Sequence, residues 1–151
     1  MAQDDLIRDW DDLLELHRRH HKFEPGAYFD LETDMLHVAL VDEQGEDSPF
    51  DGRLYVAHSP RTGSVTHFTL YSVRERLLPV VRSLGLDQGQ RQLTVGMFLF
   101  AELISLADQE REPALGGFEA LQTLAELCRV AGRTRVEMDG GFTPLTPPAT
   151  A

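Results

Sequence analysis

The chain has 151 residues, 42% of them hydrophobic and 26% charged, a length and composition suited to one globular domain with its own core. Its single cysteine, Cys128, excludes an internal disulfide framework. With 14 Lys and Arg against 25 Asp and Glu, the net charge of −11 repels phosphate backbones, so nucleic acid is not an expected partner.

The chain opens with Met1-Ala2-Gln3-Asp4-Asp5, acidic where a signal peptide would be basic. No apolar run reaches the ~18 residues that a membrane span needs, so a cytoplasmic protein that does not enter a membrane is expected. Asp4 or Asp5 can cap a first helix whose apolar stripe is Leu6, Trp10, Leu13, Leu14 and His17. This helix ends in the basic run His17-Arg18-Arg19-His20-His21-Lys22, which complements the negative end of the helix dipole. His17 and His21 lie one turn apart and are candidate metal ligands, although no carboxylate stands in the HExxH manner and dipole pairing alone explains the cluster. Pro25-Gly26 breaks the helix.

From Gly26 to Ser72 the period changes to two. Ala27 to Leu31 and Met35 to Val41 alternate around the polar corner Glu32-Thr33-Asp34, placing Phe29, Leu31, Leu36, Val38 and Leu40 on one face. Leu54 to His58 and Val65 to Tyr71 form a second hairpin around Pro60-Arg61-Thr62-Gly63, adding Leu54, Val56, Phe68 and Leu70 to that face. An antiparallel four-stranded meander is expected. The residues Tyr28-Phe29-Asp30, Glu32, Asp34 and Leu36-His37-Val38, followed by a strand, a glycine turn and another strand, resemble the DUF2283 family of small bacterial β-domains. That resemblance covers residues 27–71 and implies a compact sheet, with no catalytic residues to carry over.

Parity sends Tyr28, Asp30, His37, Tyr55, His67 and Tyr71 to the reverse face. His37 and His67 with Asp30 are candidate metal ligands, which the helix-end histidines could join. The plainer reading is exposed or partner-facing histidine. Tyr28, Tyr55 and Tyr71 are candidates for partner binding, since amphipathic aromatics on a sheet face suit an interface. Tyrosine is also common in strands, and a helix of the same chain can cover such a face.

Ser72-Val73-Arg74-Glu75 has the form of a capping box, and Val73, Leu77, Val80, Val81 and Leu84 follow as an apolar stripe that Gly85 ends. Pro79 within it should kink the helix or delay its start. Between Leu93 and Ala107 the only charged residue is Glu102, and apolar residues run right round the helical wheel. Such a helix must be buried on most sides, and a second copy of the chain is the simplest source of one wall, so a homodimer is expected. Residues 93–100 alone could instead form a strand. Glu102 is a candidate acid or base if desolvated, and otherwise the partner of an arginine.

Phe118, Leu121, Leu124, Ala125, Cys128 and Val130 or Ala131 mark a third helix that stops at Gly132. Arg133 to Val136 suits a short strand. Pro144, Pro147 and Pro148 then mark residues 140–151 as a disordered or peptide-like tail after a domain of residues 1–139. The sequence contains no GxSxG, dinucleotide glycine fingerprint, P-loop or CxxC, and no cofactor is expected. The expected object is an α+β domain: an N-terminal helix, an antiparallel four-stranded sheet, then two or three packed helices. Its expected role is that of a non-catalytic, acidic, homodimeric interaction module of accessory, regulatory or chaperone-like type. A metal-dependent enzyme using a histidine and carboxylate site on the sheet face is the alternative.

Overall fold

The computed structural model describes residues 23–49, 53–88, 92–107 and 117–147. The expected N-terminal helix, with His17 and His21, lies outside the described residues. Five antiparallel strands come from the first half of the chain: β1 (Gly26–Asp30), β2 (Met35–Ala39), β3 (Glu46–Pro49), β4 (Leu54–His58) and β5 (Val65–Leu70). A π-helical turn (Val73–Leu77) leads into helix α1 (Leu78–Ser83). After it come β6 (Leu93–Thr94), α2 (Val95–Ala107), α3 (Gly117–Ala131), β7 (Arg135–Val136) and β8 (Gly141–Pro144).

The antiparallel α+β architecture agrees with the alternating pattern, but the strand order departs from a four-stranded meander. The sheet runs β3-β4-β5-β2-β1-β8, so β5 rather than β4 lies beside β2. The cause is the segment after β2, which crosses to the far edge. There Glu46–Pro49 pairs with β4, and the chain returns strand by strand until β5 meets β2. On the way, the amides of Leu40 and Val41 both bond the Thr66 carbonyl, at 2.8 and 3.3 Å. The opposite edge is closed by β8, which moves Gly141–Pro144 out of the expected tail and into the sheet.

Register confirms the parity. Phe29 faces Leu36, Leu36 faces Leu70, and Leu70 faces Leu54; Ala27, Val38, Phe68 and Val56 form the next row. All of these are buried, and they share one cluster with Val73, Leu77, Val81, Val95, Phe98, Leu99, Leu127 and Ala131 from the helical half. Each such aliphatic or phenyl side chain contributes roughly 1.5–3 kcal/mol on full burial. Leu31 is the exception on that face. It belongs to the turn after β1 and is 45% exposed.

The helical half follows its punctuation. Pro79 lacks the N–H that a continuous helix would use, and the α-helical track begins beside it at Leu78, whose own amide reaches back to Val73. Gly85, at φ 68°, ends α1, with the Leu86 amide bonding the Val81 carbonyl in a Schellman arrangement. In residues 93–100 both readings are partly realised, since Leu93–Thr94 pairs with β7 and the helix starts at Val95. Helix α3 buries Leu124, Leu127 and Ala131, whereas Leu121 is exposed at 49%, so its inner face is turned from the expected stripe.

Candidate functional site

The reverse face of the sheet carries most of the chemically interesting side chains. One row crosses five strands: Phe142 on β8, Tyr28 on β1, His37 on β2, Thr69 on β5 and Tyr55 on β4. The row arises because period-two alternation, once the core residues are fixed inward, leaves every opposite position outward. His67 stands one row away, between Ala39 and Ala57.

The three tyrosines have different surroundings. Tyr28 is 46% exposed, and its cross-strand neighbour Phe142 is 45% exposed. Tyr55 and Tyr71 are half-buried and pack on each other, with ring centroids 5.2 Å apart and planes tilted by 60°. Such an aromatic pair stabilises the sheet end in its own right. Of the three, Tyr28 keeps the most open surface, beside Phe142, which lies in the segment expected to be a tail. Its only sequence signal is its place in Gly-Phe-Thr-Pro after the paired glycines, too short for a period to show.

His37 shares a hydrogen bond with Thr69, Nδ1 to Oγ1 at 3.0 Å. Burial holds its pKa below the ordinary histidine value; Asp30 opposes this by favouring the charged ring, and His67 adds to the lowering. His67 Nδ1 lies 3.2 Å from Thr66 Oγ1. Both imidazoles are thus engaged by threonine hydroxyls. Among the described residues, no three of His, Cys, Asp or Glu gather so as to hold a metal ion.

Glu102 is fully buried on α2, as desolvation of that helix requires, and its Oε2 lies 2.6 Å from Arg76 Nη1. Arg76 also donates from Nη2 to the Tyr71 carbonyl at 3.0 Å, tying the π-helical turn to both the sheet end and α2. This is the arginine-paired reading of Glu102. At zero exposure, the Glu102 carboxylate ties α2 to the π-helical turn through this pair.

A separate cleft of about 500 Å³ opens where α2 begins, between Leu86, Thr94, Met97, Phe100 and Arg133. The first amides of α2 are already used there: Val95 bonds the Thr134 carbonyl, Gly96 the Gly132 carbonyl and Met97 the Thr94 hydroxyl. Phe100 on its rim is 44% exposed. Among the described residues no helix is long and apolar enough to cross a membrane.

Compared with known proteins, the chain matches no family model, no curated protein and no solved structure.

Proposed function

We propose that this chain is an acidic, homodimeric interaction module of the cytoplasm, with an accessory, regulatory or chaperone-like role and no reaction of its own. The observation that carries this reading is the Tyr28–Phe142 pair. Two large aromatics stand half-exposed side by side on the outer face of the sheet, away from the core. Aromatic residues of this kind anchor protein interfaces because they bring large apolar area and lose few rotamers on binding. Tyr55, packed on Tyr71, lies on the same face with β5 and β2 between it and Tyr28.

Affinity capture compares the wild-type chain with a Tyr28→Ser/Phe142→Ser variant as bait. The expected result is one polypeptide retained in stoichiometric amount by the wild type and lost with the variant. Equal retention by both, or none by either, contradicts the proposal.

A further inference from the structure

The π-helical turn and helices α1 to α3 bury their apolar residues in one cluster with the inward rows of the sheet, so no described helix is left for the outer face. That face is nevertheless unevenly open. At its centre Met35, His37, Thr69 and Tyr55 are half-buried, and burial is the largest cause of the lowered His37 pKa. Toward the β1–β8 edge, Tyr28 and Phe142 are 46% and 45% exposed.

The chain before Phe23 is tethered beside this centre. Phe23 to Pro25 are all that separate Lys22 from Gly26 at the start of β1, and three residues reach about 10 Å at most. The apolar stripe expected there, Leu6, Trp10, Leu13, Leu14 and His17, needs a wall to pack on. The inner side of the sheet is already filled by the cluster, which leaves the outer side within reach. Size agrees. A helix over residues 5–22 is about 27 Å long and six strands span about 24 Å, so the one crosses the width of the other.

Charge fixes which end lies where. The run His17-Arg18-Arg19-His20-His21-Lys22 stops four residues before Gly26, and Asp42 and Glu43 follow shortly after Ala39, the cross-strand partner of Gly26. The basic run and the acidic loop therefore leave the same end of β1 and β2, where opposite charges attract.

We propose that residues 5–22 dock as an amphipathic helix across the outer face of this chain's own sheet, with Trp10 and the rest of the stripe over the Met35, His37, Thr69 and Tyr55 region and the basic end beside Asp42 and Glu43. This goes beyond the interaction-module reading and does not rest on it. The docked segment leaves the β1–β8 side, with Tyr28 and Phe142, open to other proteins.

Trp10 is the single tryptophan, so its fluorescence in the full chain reads docking directly. Emission wavelength and acrylamide quenching compare the wild type with three variants. Thr69→Lys puts a charge in the middle of the covered region, Leu13→Ser weakens the stripe without touching the sheet, and Tyr28→Ser/Phe142→Ser alters only the open side. The expected result is a blue-shifted, poorly quenched Trp10 in the wild type and in Tyr28→Ser/Phe142→Ser. Thr69→Lys and Leu13→Ser are expected to move the emission toward that of tryptophan in water and to raise quenching several-fold, while the amides of β2 and β5 keep their slow exchange. Leu13→Ser preserves the test if Thr69→Lys unfolds the sheet. Water-like emission in the wild type, emission unmoved by Leu13→Ser or by a folded Thr69→Lys, or an equal shift in Tyr28→Ser/Phe142→Ser overturns the assignment. A wild-type signal that becomes water-like on dilution places the segment on a second copy and overturns it as well.

Discussion

The Asp34 carboxylate caps the helical turn that begins at Val73, accepting the Arg74 amide at 2.7 Å and the Glu75 amide at 3.1 Å through its two oxygens. The Asp34 carbonyl takes the Val73 amide as well, at 3.0 Å. The first hairpin corner and the start of the helical half are thereby one structural joint. Asp34 adopts φ 57° to reach this position, a conformation that Asp and Asn tolerate better than other side chains. Asp34→Ala should cost about 1 kcal/mol of unfolding free energy, the usual worth of a helix cap, and Asp34→Asn less. Urea denaturation of the three proteins measures the difference.

Much of the sheet was legible because alternation is a strong signal when a core lies on one side. Phe29, Leu36, Val38, Leu54, Val56, Phe68 and Leu70 are all inward as their parity demands. The strand order was not legible, since Glu46-Asp47-Ser48-Pro49 has neither β-branched nor aromatic residues and forms an edge strand only through its partner β4. Ser72 and Glu75 have capping-box spacing, yet Ser72 sits at φ 54° and makes no side-chain cap bond; a residue remote in sequence supplies it. Local spacing cannot reveal such a tertiary cap. In the candidate site, Tyr28 and His37 were placed on the right face by parity. Phe142 was missed because β8 is defined by pairing with β1 alone.

Breaking the Arg76–Glu102 pair should be costly. Glu102→Ala leaves a largely buried guanidinium facing an apolar helix, and about 3 kcal/mol or more of stability should be lost. Replacing both, Arg76→Met with Glu102→Leu, should recover most of the loss, because two apolar groups need no compensation. Equal destabilisation in the double variant contradicts a purely structural pair.

His37 links stability to pH. Its folded pKa lies below that of the unfolded chain, with burial as the main cause, so the unfolded state binds the proton more readily between those two values. The stability from keeping His37 neutral is therefore complete above about pH 6.5, the unfolded value, and is lost as pH falls from there toward the folded pKa. His37→Gln should flatten this part of the profile. Denaturation midpoints for both proteins across pH 5 to 8 test it, and identical slopes would sink the assignment.

Gly26 permits the close approach of β8 to β1. A Cβ there would run into the Thr143 carbonyl and the Phe142 ring. Gly26→Ala should displace the last strand at a cost of roughly 1–3 kcal/mol, as overpacking does. Amide exchange of residues 141–145 should rise selectively, whereas unchanged exchange would mean that β8 is held by other contacts.

The most direct test of the interaction-module reading is the mass of the full chain by sedimentation equilibrium across a wide concentration range. The expected result is a species of twice the 17.0 kDa chain mass. A single species at the chain mass throughout would contradict it.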